Sequence, residues 1–213
     1  MSRNELLEML HQGLIEMDQP LDQQKEGQLI QYIDLIAQWN RVYNLSSIRD
    51  VDTMVTRHLL DSLSIFKFIK GQNILDVGTG AGLPGLPLAV AMPDRQFVLL
   101  DSNQKKMRFL QQTCYQMRLR NVRVVNQRVE EFKAEPLFDS VISRAFSTLR
   151  DFMTQSRHLV KPGGQLLAMK GVYPLTELQE VAAPFKVIEI YPLKVPQLDA
   201  ERHLVELIYQ PEA

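Results

Sequence analysis

Cysteine is nearly absent: Cys114 stands alone among 213 residues, so no internal disulfide can form. Metal-ligand spacing is missing as well. His11, His58, His158 and His203 are scattered with no HxxxH or CxxC pattern, which leaves a structural or catalytic metal without support. No long apolar run exists; the longest uncharged stretch, residues 71–75 and 77–93, is interrupted by Asp76 and by glycines and prolines, too broken to cross a bilayer. The opening "MSRNELLEMLHQ" mixes charges into its apolar positions, so it has no signal-peptide core and a cytoplasmic protein without a membrane partner is expected. Strong charge of one sign is lacking too. The formal net charge of −1 argues against a generic nucleic-acid binder.

What is present is ordinary globular composition, 45% hydrophobic and 23% charged, enough for one sizeable core with an appendage. Residues 1–70 read as a helical extension. Leu6, Leu7, Leu10 and Leu14 recur at helical spacing, as do Leu29, Ile30, Ile33, Ile36 and Ala37, with Asp22 and Asp52 as N-caps. A third helix is expected from about Asp52 to Ile69, burying Val55, Leu59, Leu63 and Phe66. From residue 71 to 213 the period changes. The runs "NILDV", "QFVLL", "VRVVN", "FDSVIS", "GQLLAMK", "FKVIEIY" and "HLVELIY" alternate with amphipathic helices, which predicts an α/β domain with a mostly parallel seven-stranded sheet. The last two runs are joined by the proline-rich "YPLKVPQLDAERH", unsuited to a crossover helix, so the final strand is expected to insert antiparallel.

The stretch "NILDVGTGAGLPGLPLA" satisfies two cofactor fingerprints at once. Asp76 with Gly78, Gly80 and Gly82 suits a nucleoside-dependent methyltransferase; Gly80, Gly82 and Gly85 suit a dinucleotide oxidoreductase. In either case the glycines permit close approach of backbone to ligand, and a helix starting near Leu83 would point free N–H groups at it. Asp101, closing "QFVLL", can accept both ribose hydroxyls of an adenosine. Asp76 would oppose a pyrophosphate but suits a cationic amino-acid cofactor. After the third strand run, Glu130 in "VEEF" can hydrogen-bond an adenine amine while the neighbouring Val129 covers the ring; alternatively, Glu130 and Glu131 simply begin the next segment.

The fourth strand run ends in "ISRAFSTL", where amino-group methylases of nucleic acids carry Asn or Asp followed by Pro-Pro and an aromatic. No such motif occurs, and no Pro-Cys nucleophile is present, Cys114 falling on an apolar helix stripe with Met107, Leu110 and Met117. Arg144 takes the slot instead. It cannot accept a proton but donates a fork of hydrogen bonds, which fits methylation of guanine N7, a nitrogen with a free in-plane lone pair. The alternative is an arginine salt-bridged at a helix start. From Ser102 to Val129 seven basic residues (Lys105, Lys106, Arg108, Arg118, Arg120, Arg123, Arg128) occur without an acid, forming either a phosphate-attracting face or a solvated helix side.

Taken together, "WNRVYNLSS", "RHLLDSL", "DVGTGAGLPGLPLA", "LLDS", "RVEEF", "ISRAF", "LLAMKG" and "ERHLV", in this order along nearly the whole chain, resemble the ribosomal RNA small subunit methyltransferase G family, also called glucose-inhibited division protein B. The resemblance implies a Rossmann-like class I enzyme that uses S-adenosylmethionine to methylate guanine N7 in 16S rRNA, within the small ribosomal subunit or an assembly intermediate. It places cofactor contacts at Gly78, Leu83, Val129, Glu130 and Arg144, with Arg144 at the catalytic position. It also marks Arg128, Lys170 and Arg202 as candidates for RNA contact. Asn103-Gln104 departs from the family pattern and leaves the start of the following helix open. Trp39, Asn40 and Asn44 are read as capping residues rather than RNA contacts. An NAD(P)-dependent oxidoreductase and a non-catalytic RNA-binding module are the competing readings.

Overall fold

A computed structural model describes residues 1–144, 146 and 148–211. Helix α1 (Arg3–Glu16) starts in a capping box in which Ser2 accepts from the Glu5 N–H and Glu5 answers to the Ser2 N–H. Helix α2 (Gln23–Asn40) starts at Asp22, whose carboxylate accepts from the Lys25 N–H at 2.9 Å. The expected third helix is broken into pieces. A short α3 (Val51–Met54), capped by Asp50 rather than Asp52, widens into a π-helical turn over Val55–Leu60, then α4 (Asp61–Leu63) and a 3-10 turn over Phe66–Phe68. The wide turn shifts the helical phase, so that His58 and Asp61 are buried alongside Leu59, Leu60 and Leu63.

Seven strands follow: β1 (Asn73–Val77), β2 (Gln96–Asp101), β3 (Val122–Asn126), β4 (Phe138–Ser143), β5 (Val160–Lys170), β6 (Phe185–Pro192) and β7 (His203–Tyr209). They form one sheet in the order β3-β2-β1-β4-β5-β7-β6. The first five run parallel, and β7 inserts antiparallel between β5 and β6, as the irregular connection before it demands. Helices α5 (Gly85–Ala91), α6 (Gln104–Gln116), α7 (Leu149–Ser156) and a short α8 (Leu175–Leu178) flank the sheet. Asn103 proves to be the N-cap of α6, its side chain accepting from the Lys105 and Lys106 N–H groups at 3.1 and 3.2 Å, which fixes that helix start.

The helical layer and one sheet face share a single buried cluster running from Leu6 through Ile33, Leu60 and Leu86 to Leu204. Tyr32 in α2 is fully buried and donates to the Ala81 carbonyl at 2.7 Å, tying the extension directly to the glycine loop. Strand order reverses between β1 and β4. The loops leaving their carboxyl ends, beginning at Gly78 and Arg144, therefore flank the crevice where such sheets bind ligands.

Candidate functional site

Two cavities open at the carboxyl ends of the parallel strands and meet at Gly78. The smaller, about 240 Å³, is bounded by Gly78, Asp101, Arg128, Val129, Glu130 and Phe146, among others. The larger, about 520 Å³, is bounded by Gly78, Gly80 and Leu83 of the loop, by Arg144, Lys170 and Arg202, and by Ser46, Arg57, His58 and Asp61 of the helical layer. The three residues expected to touch RNA are thus divided: Arg128 stands at the smaller cavity, Lys170 and Arg202 at the larger.

Asp101 joins the two halves of the loop region. Its Oδ2 accepts from the Gly80 N–H at 2.9 Å and its Oδ1 from the Asn103 N–H at 2.8 Å, which leaves each oxygen further acceptor capacity in a residue that borders the smaller cavity. Asp76 and Gly82, by contrast, bound neither cavity. Asp76 is fully buried behind the loop, where Oδ2 accepts from the Thr79 hydroxyl at 2.7 Å and the Gly85 N–H at 2.8 Å. Burial pushes its carboxyl up to about 7 against the effect of those hydrogen bonds. Through these two bonds Asp76 braces the loop internally, while its Oδ1 is buried with no hydrogen-bond partner among the described residues. Gly82 has φ +103, and a Cβ there would lie 2.7 Å from Leu110 Cδ2. It is a packing position as well.

The expected row of free N–H groups at the helix start is also absent. Helix α5 begins at Gly85, whose N–H goes to Asp76; the Gly82 and Leu83 N–H groups go to the Thr79 carbonyl and the Leu86 N–H to the Gly82 carbonyl. The loop therefore offers shape and close approach more than donors. Charge at the larger cavity comes from side chains: among the described residues, Arg57, Lys106, Arg144, Lys170 and Arg202 against the carboxylate of Asp61. Lys170 is paired with Glu177 at 2.8 Å. Arg144 Nη1 donates to Asp61 Oδ2 at 2.8 Å and to the Arg57 carbonyl at 3.1 Å.

The basic block splits along α6. Lys105, Lys106 and Arg108 lie at its start, beside the carboxyl ends of the strands, and Arg128 follows β3 at the same end. Arg118 and Arg120 lie past the other end of α6, in the loop that leads into β3, where they border a separate cavity with Asp22 and Lys25. Among the described residues no group of three or more His, Cys, Asp and Glu side chains could hold a metal ion, and no helix is long and apolar enough to cross a membrane.

The sequence model of GidB, rRNA small subunit methyltransferase G, matches residues 25–205. The chain belongs to this family. Among curated relatives, ribosomal RNA small subunit methyltransferase G of Nitrosococcus oceani is 48% identical over 199 residues, covering 93% of each chain. That of Aromatoleum aromaticum is 49% identical over 203 residues, covering 93% of this chain and 96% of its own. Solved structures share the fold at low identity. A SAM-dependent methyltransferase from Aquifex aeolicus aligns with TM-score 0.55 at 19% identity, over 71% of this chain and 90% of that one. The TYW2 protein of M. jannaschii, in complex with AdoMet, aligns with TM-score 0.56 at 16% identity, over 72% and 76%.

Within the glycine loop, Gly85 has a physical cause of its own. A Cβ on Gly85 would sit 2.4 Å from Leu99 Cδ2 and 2.7 Å from Asp76 Oδ2, so Gly85 is set by helix-to-strand packing, a role the third glycine of a dinucleotide fingerprint also has. Sequence reasoning missed Asp61 and His58, which the π-helical turn brings to the cavity wall. Asp61 carried a readable signal, a carboxylate among Leu59, Leu60 and Leu63. Asn40, read as a capping residue, accepts from the Leu45 and Ser46 N–H groups and donates to the Ser46 and Ile48 carbonyls, shaping the loop that bounds the cavity.

Proposed function

We propose that the protein transfers a methyl group from S-adenosylmethionine to N7 of a guanine in 16S rRNA, in the bacterial cytoplasm, acting on the small ribosomal subunit or an assembly intermediate. The observation that carries the site chemistry is a cavity rich in donors and poor in bases. Its carboxylate, Asp61, is held by two arginines, and its imidazole, His58, is pushed down to about 4, chiefly by burial. A proton acceptor that weak is ill suited to drawing a proton from an exocyclic amine, whereas N7 presents a lone pair and needs none removed.

In this reading the smaller cavity takes the adenosine. Asp101 accepts the ribose hydroxyls, Val129 and Glu130 meet the adenine, and Gly78, Gly80 and Leu83 let the amino-acid end pass into the larger cavity. Asp76 and Gly82 support the cofactor from behind, holding the loop in shape. S-adenosylmethionine supplies an electrophilic methyl carbon, which N7 takes directly while the carbon–sulfur electrons leave on sulfur. Arg144 positions the guanine, and catalysis comes from approach and orientation. The target guanine has to stand out of its stack to present N7 in plane, so a loop nucleotide is the fitting substrate. The helical extension 1–70 serves as a wall of the RNA side, and Arg128, Lys170 and Arg202 contact the RNA from different directions.

The test is transfer of labelled methyl from S-adenosylmethionine to small-subunit RNA, with S-adenosylhomocysteine binding measured on the same preparation. Transfer with retention of label at guanine N7 is expected. Binding without transfer would favour a non-catalytic RNA-binding module, and binding of a nicotinamide dinucleotide instead would favour the oxidoreductase.

A further inference from the structure

Asp61 is 1% exposed, and its two oxygens are divided between guanidinium groups from distant parts of the chain. Oδ2 accepts from Arg144 Nη1 at 2.8 Å, after β4, and Oδ1 accepts from Arg202 Nε at 2.7 Å, before β7. Backbone carbonyls fix each fork further: Arg57 O takes Arg144 Nη1 at 3.1 Å, and Glu201 O takes Arg202 Nη1 at 2.8 Å. Among the described residues neither Nη2, nor Arg144 Nε, has a protein acceptor. The two side chains, 30% and 21% exposed, present those edges at the larger cavity.

The charge there is not matched to the methyl donor. S-adenosylmethionine is cationic at sulfur and at its ammonium, and only its carboxylate calls for a cation, which Lys106 beside Gly80 can supply. Two guanidiniums fastened to one buried carboxylate keep a net positive charge and a fixed mutual orientation. A phosphodiester, with several acceptor oxygens and one negative charge, matches that pair in charge and in geometry. We propose that Asp61 is a positioning residue that yokes Arg144 and Arg202 into one two-pronged seat for a phosphate of the target nucleotide. The identity of the occupant rests on the RNA-methylation reading above; the yoke itself does not.

Guanosine 5′-monophosphate and guanosine serve as probes, with the Nε–H resonances of Arg144 and Arg202 followed by NMR in the full chain. The monophosphate should move both resonances along one titration curve, and guanosine at equal concentration should move neither. Asp61→Asn and Arg202→Lys should each weaken the monophosphate about tenfold, as expected for loss of a charge-assisted contact. The double variant should be within about threefold of the weaker single, since coupled residues do not lose affinity multiplicatively. Should Asp61→Asn not fold, as judged by its melting curve, Arg144→Lys combined with Arg202→Lys carries the same less-than-multiplicative expectation. Equal response to guanosine would overturn the phosphate assignment, and fully multiplicative losses would overturn the yoke. Methyl transfer to small-subunit RNA by wild type separates the two claims. Transfer alongside multiplicative losses defeats the yoke alone, while a coupled pair without transfer defeats the functional reading alone.

Discussion

Alanine at Gly80 and alanine at Gly85 should damage this protein in opposite ways. Gly80 has φ +61, and a Cβ there meets nothing nearer than Lys106 Nζ at 3.7 Å. The cost to folding is the left-handed conformation, about 1–2 kcal/mol for an L-residue, lessened by about 0.5 kcal/mol because alanine restricts the unfolded chain. A net loss of about 1 kcal/mol corresponds to a melting temperature lower by about 2–4 °C in a chain of this length. The added carbon stands at the larger cavity, close to its junction with the smaller, so S-adenosylhomocysteine binding should weaken by much more, about tenfold or beyond, which is about 1.4 kcal/mol. At Gly85 the Cβ would fall 2.4 Å from Leu99 Cδ2 and 2.9 Å from Asp76 Cβ. Overpacking costs about 1–3 kcal/mol, and displacing the Gly85 N–H from a buried carboxylate adds about 1–3 kcal/mol. Together these are about 2–6 kcal/mol, so melting should fall by roughly 4–24 °C, scaled from the same relation. Differential scanning fluorimetry with and without S-adenosylhomocysteine reads both quantities. Equal melting losses for the two variants, or a Gly85→Ala protein with native melting and lost ligand binding, would refute the assignment of Gly80 to the ligand side and Gly85 to packing.

Three further outcomes follow from the same geometry. The Asp76 carboxyl, raised to about 7 by burial, stays protonated in the folded protein while the unfolded chain ionises, so it removes stability as pH climbs from about 4 to 7. Asp76→Asn should therefore gain on wild type across that window, by up to about 4 kcal/mol in denaturant titrations; a pH-independent difference would contradict the buried brace. His58 acts with the opposite sign, its pKa held down at about 4 by burial. Its contribution is complete above about 6.5 and lost as pH falls toward 4, and a His58→Gln protein that kept the wild-type acid sensitivity would show the imidazole is not its source. Removing Lys105, Arg108 and Arg128 together should reduce the salt slope of RNA binding by about 2, near 0.7 per lost phosphate contact, while removing Arg118 and Arg120 should leave it unchanged; the reverse pattern would put the RNA at the other end of the sheet.

The sheet was legible in the sequence almost strand by strand. Parallel strands are covered on both faces and therefore read as short continuous apolar runs, and the glycine and proline stretches between them mark their carboxyl ends. The antiparallel last strand was legible for the same kind of reason, since "YPLKVPQLDAERH" cannot form a crossover helix. The broken third helix was not, because the π-helical turn over Val55–Leu60 leaves the apolar spacing looking like one amphipathic helix. Asp76 shows the limit most clearly. Its sequence position at a strand end next to glycines suggests a ligand contact, whereas its full burial, with Oδ2 held by the Thr79 hydroxyl and the Gly85 N–H, is set by tertiary packing that the sequence pattern does not carry. The basic block failed as a unit through simple length: α6 carries the chain about 12 Å from Arg108 to its end at Gln116, and Arg118 lies beyond, toward the other end of the sheet.

For Arg144, lysine and alanine separate charge from fork geometry. A specific guanidinium function predicts that Arg144→Lys retains only a small part of the methyl-transfer rate and Arg144→Ala less, since an ammonium cannot reproduce two parallel N–H donors. Rates near wild type for both would remove Arg144 from the site.

The most direct test of the whole account is the position of the methyl group. Small-subunit rRNA from cells with and without this protein, compared by chemical cleavage at N7-methylguanosine and by mass spectrometry, should differ at one guanine, present only when the protein is. Purified protein with S-adenosylmethionine should restore it. Methylation restored at another atom of the base, or no difference between the two RNAs, would contradict the account.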